Sequence, residues 1–179
     1  VIAAFNGISN LKFRGFLKAC NRRAAAYACQ QLNQYLVPGK TTVINLLSME
    51  EREGKSFLAK YFADYWRTES LNVRIVTHQS DFEIEDKKYV QARQLSDFWQ
   101  KNEAEKIPDI LLVEYPALCH HTVPESVLAT ADVNLLIANA ARLWSAKDDA
   151  RLRSLRKTLS GKPFYLYLNN ADREVVESF

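Results

Sequence analysis

Two periodicities divide the chain. Between residues 11 and 36, apolar side chains recur at Phe13, Phe16, Leu17, Cys20, Ala24, Tyr27, Ala28, Leu32 and Tyr35, while Lys12, Arg14, Lys18, Arg22 and Arg23 stand mostly off that stripe. This is helical spacing over several turns, and Pro38-Gly39 breaks it. The pattern then changes to short apolar runs at Val43–Leu47, Val73–Val76, Ile110–Val113, Val133–Ala138 and Phe164–Leu168. Helical patterns lie between them, over about 55–67, 88–104, 124–130 and 146–160.

The run Ile110-Leu111-Leu112-Val113 is continuously apolar, as a strand covered on both faces should be. Strands alternating with helices of this length predict βαβ crossovers, hence an α/β fold with a mostly parallel sheet and helices on both faces. In such sheets ligands bind beyond the carboxyl ends of the strands, where Gly54, Thr77 and Glu114 fall. The organisation expected is an N-terminal helical segment, residues 1–40, packing on the domain or on a neighbour, followed by one α/β domain over 41–179.

Composition narrows the setting. The content of 47% hydrophobic and 25% charged residues is that of an ordinary globular domain. A net charge of +3 is too small to argue for nucleic acid, and none is expected as a partner. Cys20, Cys29 and Cys119 are odd in number and far apart, which fits a reducing compartment better than a disulfide framework. No apolar run approaches the roughly 18 residues that a membrane span needs. The chain starts Val1-Ile2-Ala3 without an initiator methionine, as a piece of a longer protein would.

The chemistry concentrates in Ser48-Met49-Glu50-Glu51-Arg52-Glu53-Gly54-Lys55-Ser56, between a predicted strand and a predicted amphipathic helix. Strand, polar loop, Gly-Lys-Ser and helix form a phosphate-cradling order. Backbone N–H groups at the helix start face an anion, the lysine adds positive charge, and the serine hydroxyl can hold Mg²⁺. Met49 stands where the usual first glycine would be, and Glu50, Glu51 and Glu53 crowd the loop with only Arg52 to offset them. Such charges raise the cost of binding polyphosphate. The plainer alternative is a surface turn that caps a helix. A second element is Glu114, directly after the Ile110–Val113 run. A carboxylate there can hold Mg²⁺ through water, although Glu is one methylene longer than the usual Asp and Mg²⁺ is strict about geometry. A solvated or helix-capping glutamate is the alternative.

Glu53-Gly54-Lys55-Ser56, Pro108-Asp109-Ile110-Leu111-Leu112-Val113-Glu114-Tyr115-Pro116, Ala131–Ile137 and Tyr167-Leu168-Asn169-Asn170 occur in a recognisable order. From about residue 40 to 179 the chain resembles the cytoplasmic ATPase domain of bacterial tyrosine kinases attached to polysaccharide co-polymerases, in the MinD/ParA branch of P-loop proteins. The resemblance implies roles for particular residues. Glu53, Gly54, Lys55 and Ser56 would bind nucleotide, and Lys55 would neutralise the β- and γ-phosphates. Ser56 and Glu114 would hold Mg²⁺, Lys55 and Glu114 would be the catalytic pair, and Asn169 would contact the adenine.

Departures from that family pattern are equally legible. Its second acidic motif aligns with Thr77-His78-Gln79-Ser80-Asp81, which lacks both carboxylates unless Asp81 reaches in. Those acids organise Mg²⁺ and activate the attacking hydroxyl. The family's ring-assembly motif aligns near Phe13-Arg14, with Leu11 and Leu17 in its flanking charged positions. The eight tyrosines are scattered rather than clustered at the C-terminus, and Tyr61, Tyr65, Tyr165 and Tyr167 read as core.

The expectation is therefore a degenerate, tyrosine-kinase-like cytoplasmic domain of a membrane-anchored exopolysaccharide biosynthesis or export protein. It would have a regulatory or assembly role at the cytoplasmic face of the bacterial inner membrane. ATP or ADP with Mg²⁺ would bind weakly or not at all, and the partners would be further copies of the chain or other export subunits. The rivals are an active ATPase or tyrosine autokinase using Glu114 and Asp81, and a soluble partner-binding P-loop module.

Other clusters read more plainly. Cys119-His120-His121 has metal-ligand residue types but no second ligand cluster nearby in sequence, so it reads as a polar loop. His78 reads as exposed, and nothing marks Cys119 as a thiolate. Lys147, Arg151, Arg153, Arg156 and Lys157 read as a solvated basic face.

Overall fold

The computed structural model describes residues 14–100 and 106–171, with side chains from Lys18 onward. Its elements are α1 (Arg14–Leu32), β1 (Thr42–Leu47), α2 (Lys55–Thr68), β2 (Val73–Thr77), α3 (Lys87–Val90), β3 (Ile110–Glu114), α4 (Glu125–Leu128), β4 (Val133–Asn139), α5 (Ala146–Thr158) and β5 (Phe164–Asn169). Among the described residues, five strands form one sheet in the order β2-β3-β1-β4-β5. Every pairing is parallel, and β1 is central with Leu46 opposite both Glu114 of β3 and Leu135 of β4. The connections leaving β1 and β4 depart toward opposite sheet edges, which opens a crevice beyond their carboxyl ends.

Strand alternation sorts the apolar residues into two layers. Ile44, Leu46, Ile110, Leu112, Val133 and Leu135 face α1 and α2, where they meet Ala28, Cys29, Phe62 and Trp66. Leu47, Leu111, Val113 and Leu136 face the other side, against Tyr89, Tyr115, Leu128 and Leu155. Burying one Phe or Leu side chain contributes about 1.5–3 kcal/mol, so the fully buried Phe62, Trp66 and Leu58 anchor α2, and with it the loop at its N-terminus. Helix α1 joins the same layer through small residues, Ala25, Ala28 and Cys29, and Trp66 Nε1 donates to Asn33 Oδ1 at 2.8 Å just beyond it. Tyr27, which the spacing places on the apolar stripe, is 54% exposed, because Ala25 rather than Tyr27 turns toward the sheet.

Two helical segments come out shorter than their patterns. Over 88–104 the described residues hold only α3 and a 3₁₀ turn at Leu95–Asp97, and 101–105 lie outside the described residues. The Asp97 carboxylate accepts from the N–H groups of Arg93 and Gln94, at 2.7 and 3.0 Å, offering the backbone an alternative to a helical ladder. Phe82, Tyr89 and Phe98 then pack ring against ring and fix the folded-back path. Over 124–130 the helix is a single turn, Glu125–Leu128, ahead of β4. Tyr167 is core, as its pattern suggests, whereas Tyr61, Tyr65 and Tyr165 are half-buried, and Tyr89 and Tyr115 are the further buried tyrosines. The segment aligned with the ring-assembly motif lies outside the side chains described. No described helix is long and apolar enough to cross a membrane.

One polar pair sits inside the second layer. Asn45 Nδ2 donates to Asn134 Oδ1 at 2.9 Å, and Asn134 Nδ2 donates to the Leu128 carbonyl at 3.1 Å, both side chains being buried. A buried donor left unpaired costs about 1–3 kcal/mol. Asn134→Leu is therefore expected to lower stability in urea unfolding by about 2 kcal/mol. Asn45→Leu/Asn134→Leu should lose less than the two single changes summed.

Candidate functional site

Residues Ser48–Gly54 leave β1 and turn back into α2 at the carboxyl edge of the sheet. Two positive φ angles shape the return, Arg52 at 59° and Gly54 at 102°. Gly54 has a second constraint, since a Cβ there would stand 2.1 Å from Asn169 Nδ2. Asn169, at the end of β5, packs over Gly54 and donates from Nδ2 to the Glu53 carbonyl at 2.9 Å. Glu53 is buried, and its Oε2 accepts from the N–H groups of Met49 and Glu50 at 2.9 and 3.1 Å, which closes the loop on itself. Met49, in place of the usual glycine, is wholly buried and belongs to the second apolar layer.

The basic and metal-type side chains meet inside this turn. Lys55 is only 5% exposed and donates from Nζ to Ser48 Oγ at 2.5 Å. Ser56 Oγ donates to Glu114 Oε1 at 2.6 Å, so the helix serine and the carboxylate ending β3 are in direct contact. Glu114 is buried rather than solvated. The adjacency of β3 to β1 accounts for the meeting, with Tyr115 N–H donating to the Leu46 carbonyl just beyond the strand ends. Among the described residues nothing accepts from the Lys55 and Ser56 N–H groups, which, as the first of a helix, have no intrahelical partner.

Charge in the turn is weighted against anions. Burial pushes the Lys55 ammonium below the ordinary lysine value, against the opposing pull of Glu51, Glu114 and Glu53. One ammonium thus faces three carboxylates. His78, just past β2, is half-buried rather than exposed, and burial followed by the nearby Lys55 charge holds its imidazole below the usual histidine range. Asp81 does not join the cluster through its hydrogen bonds. Its Oδ2 accepts from the Thr77 N–H at 3.0 Å and its Oδ1 pairs with Arg74 Nη2 at 3.0 Å.

Two residues that the motifs did not single out hold the loop in place. Arg142, after β4, donates from Nε to Glu53 Oε1 at 2.8 Å, and from Nη1 and Nη2 to the two oxygens of Asp148 at 2.9 and 3.0 Å. Asp148 also accepts from the N–H and hydroxyl of Ser145, forming a capping box at the start of α5. The Arg142 guanidinium, with Ser145, holds the Asp148 carboxyl well below the usual carboxylate range. Ser145-x-x-Asp148 was readable as a helix start, but its link to Arg142 and Glu53 was not.

No family model and no curated protein matches the sequence. Solved structures do match. The kinase domain of the Escherichia coli tyrosine kinase ETK superposes with a TM-score of 0.66 at 12% identity, over 97% of this chain and 91% of that one. The fold is that of the bacterial tyrosine-kinase domains. The BceF tyrosine kinase domain matches with a TM-score of 0.61 at 8% identity, over 96% of this chain and 93% of that one. The chimerical protein CapA2B2 matches with a TM-score of 0.60 at 11% identity, over 97% and 95%. The tyrosine-kinase-like fold thus extends through α1, ahead of the region in which the motifs lie.

Two outcomes are expected here. Gly54→Ala combines a strained φ, worth about 1–3 kcal/mol, with the collision against Asn169, and should lower stability by about 3 kcal/mol in chemical unfolding. Arg142→Leu leaves the buried Asp148 and Glu53 carboxylates without their counter-charge, which costs about 3–5 kcal/mol at neutral pH. Because the folded Asp148 pKa lies below the unfolded value of about 3.9, the pair's contribution is present above that pH and is lost as pH falls through the folded value. Urea unfolding at pH 7 and pH 3 should show the Arg142→Leu deficit shrinking in acid.

Proposed function

We propose that this chain is a degenerate, tyrosine-kinase-like P-loop domain. In this reading it serves a membrane-anchored exopolysaccharide biosynthesis or export protein as a regulatory or assembly module, with weak or absent ATP hydrolysis. The observation that carries the reading is the charge around Lys55: a buried ammonium among Glu51, Glu53 and Glu114. A polyphosphate entering the loop would meet more negative charge than positive at close range, in a site where burial weakens screening. The engagement of Asp81 with Arg74 and Thr77 supports the same reading, since that carboxylate is tied into its own turn and is not free to order a metal or take a proton from an attacking hydroxyl.

The residues fit Mg²⁺ and nucleotide in part. Ser56 and Glu114, already in contact, would hold Mg²⁺, and Lys55 would face the β- and γ-phosphates. When bound, the ion neutralises developing phosphate charge. That intact pair favours one second reading, an active ATPase or tyrosine autokinase with Glu114 as its metal carboxylate. Asn169, which would contact the adenine, already donates to the Glu53 carbonyl.

Isothermal titration with Mg-ATP and Mg-ADP separates the readings. Dissociation constants near the millimolar range, about −4 kcal/mol, with no phosphate release, are expected. Micromolar binding with turnover abolished by Lys55→Ala would overturn the degenerate reading in favour of the active one.

A further inference from the structure

A second set of ligand-type side chains converges where three segments meet, beside the phosphate-type loop and separate from Ser56 and Glu114. Glu50 comes from the loop after β1, Cys119 and His120 from the turn after β3, and Asp148 from the first turn of α5. A carboxylate oxygen of Glu50, the Cys119 sulfur and a carboxylate oxygen of Asp148 all lie within 4.8 Å of one another. Cys119 Sγ stands 3.9 Å from Asp148 Oδ1, and His120 Nε2 rests against Glu50 Oε2. In a tetrahedral zinc site with bonds of about 2.0–2.3 Å, neighbouring donors stand roughly 3.3–3.8 Å apart. Glu50, Cys119 and Asp148 reach that spacing by drawing together from within 4.8 Å, and His120, outside that group, joins them by swinging off Glu50 Oε2.

Its supports are already built. Asp148 is buried, with Arg142 and Ser145 hydrogen-bonded to its carboxylate, the kind of outer contact that orients metal-bound carboxylates. The two loops are clamped side by side, Leu118 and Cys119 donating from their N–H groups to the carbonyls of Ser48 and Met49 at 3.0 and 3.1 Å. Lys147 Nζ donates to the Cys119 carbonyl at 2.7 Å and fixes the turn. The donors mix thiol, imidazole and carboxylate. That set suits a borderline ion such as zinc, whereas Mg²⁺ and Ca²⁺ take oxygen ligands.

We propose that Glu50, Cys119 and Asp148, with His120 as the fourth donor, form a binding site for one divalent transition-metal ion of the zinc class. Cys119 gives its thiol proton to solvent as the sulfur–metal bond forms. The ion ties the 48–54 loop to the 117–121 turn and to α5, so its occupancy stiffens the loop whether or not nucleotide binds. The site stands independently of the nucleotide reading, because none of its four donors is a nucleotide or Mg²⁺ residue in that reading.

Cobalt(II) titration of the whole chain, with zinc as competitor, tests the site. The expected result is a thiolate-to-cobalt charge-transfer absorption that saturates at a single equivalent and is displaced by zinc. It should vanish in Cys119→Ser, persist in Cys20→Ser, and need about tenfold or more metal in Glu50→Gln. No such absorption in the unaltered chain, or its survival in Cys119→Ser, overturns the proposal. Should Cys119→Ser fail to fold by circular dichroism, Glu50→Gln, at a half-buried position of the loop, decides the matter: unchanged cobalt affinity overturns the site, and weakened affinity supports it.

Discussion

One guanidinium joins the parts of the sheet edge on which everything else depends. Arg142 bonds to Glu53 on one side and to both oxygens of Asp148 on the other. Glu53 in turn holds the Met49 and Glu50 N–H groups of its own loop. The loop after β1 and the start of α5 are thereby fixed through one cation between two buried carboxylates. Buried ion pairs return their desolvation cost only when geometry and additional hydrogen bonds are good. Here the two-pronged contact and the Ser145 cap supply both.

This arrangement separates the shape of a phosphate loop from its electrostatics. The shape is complete: positive φ at Gly54, a helix beginning at Lys55, and a serine touching the carboxylate of the neighbouring strand. Around Lys55 stand three carboxylates, Glu51, Glu53 and Glu114, and Glu53 is itself paired with Arg142. Met49 shows the same separation. Its side chain is absorbed into the apolar layer where a glycine would let backbone approach a ligand. Helix α2 holds its place through packing, since Phe62 and Trp66 anchor it in the apolar layer.

Much of this was legible in the chain. The five apolar runs became five strands with ends shifted by at most one residue, because each run is too short for a helix and the inner three are covered on both faces. Gly54, Lys55, Ser56 and Glu114 came together because β1, which leads into the loop, and β3, which ends at Glu114, are neighbours. The 88–104 segment misled because aromatic stacking and the Asp97 carboxylate outweigh helical periodicity there. Arg142 and Cys119 were silent for a different reason. Their partners, Glu53 for one and Glu50 for the other, lie far away in sequence, and only the parallel sheet brings those loops to one edge.

The central claim is that negative charge in an otherwise intact loop opposes polyphosphate. The most direct test is the affinity of Mg-ADP for Glu51→Gln against the unaltered chain, followed by NMR titration, which reads weak binding. Glu51 is exposed, and its carboxylate makes only a long contact, 3.3 Å, with the Ala117 N–H, so the change removes charge with little effect on the fold. The account predicts tighter binding by about tenfold, equivalent to about 1.4 kcal/mol. An affinity that stays the same or falls would contradict it.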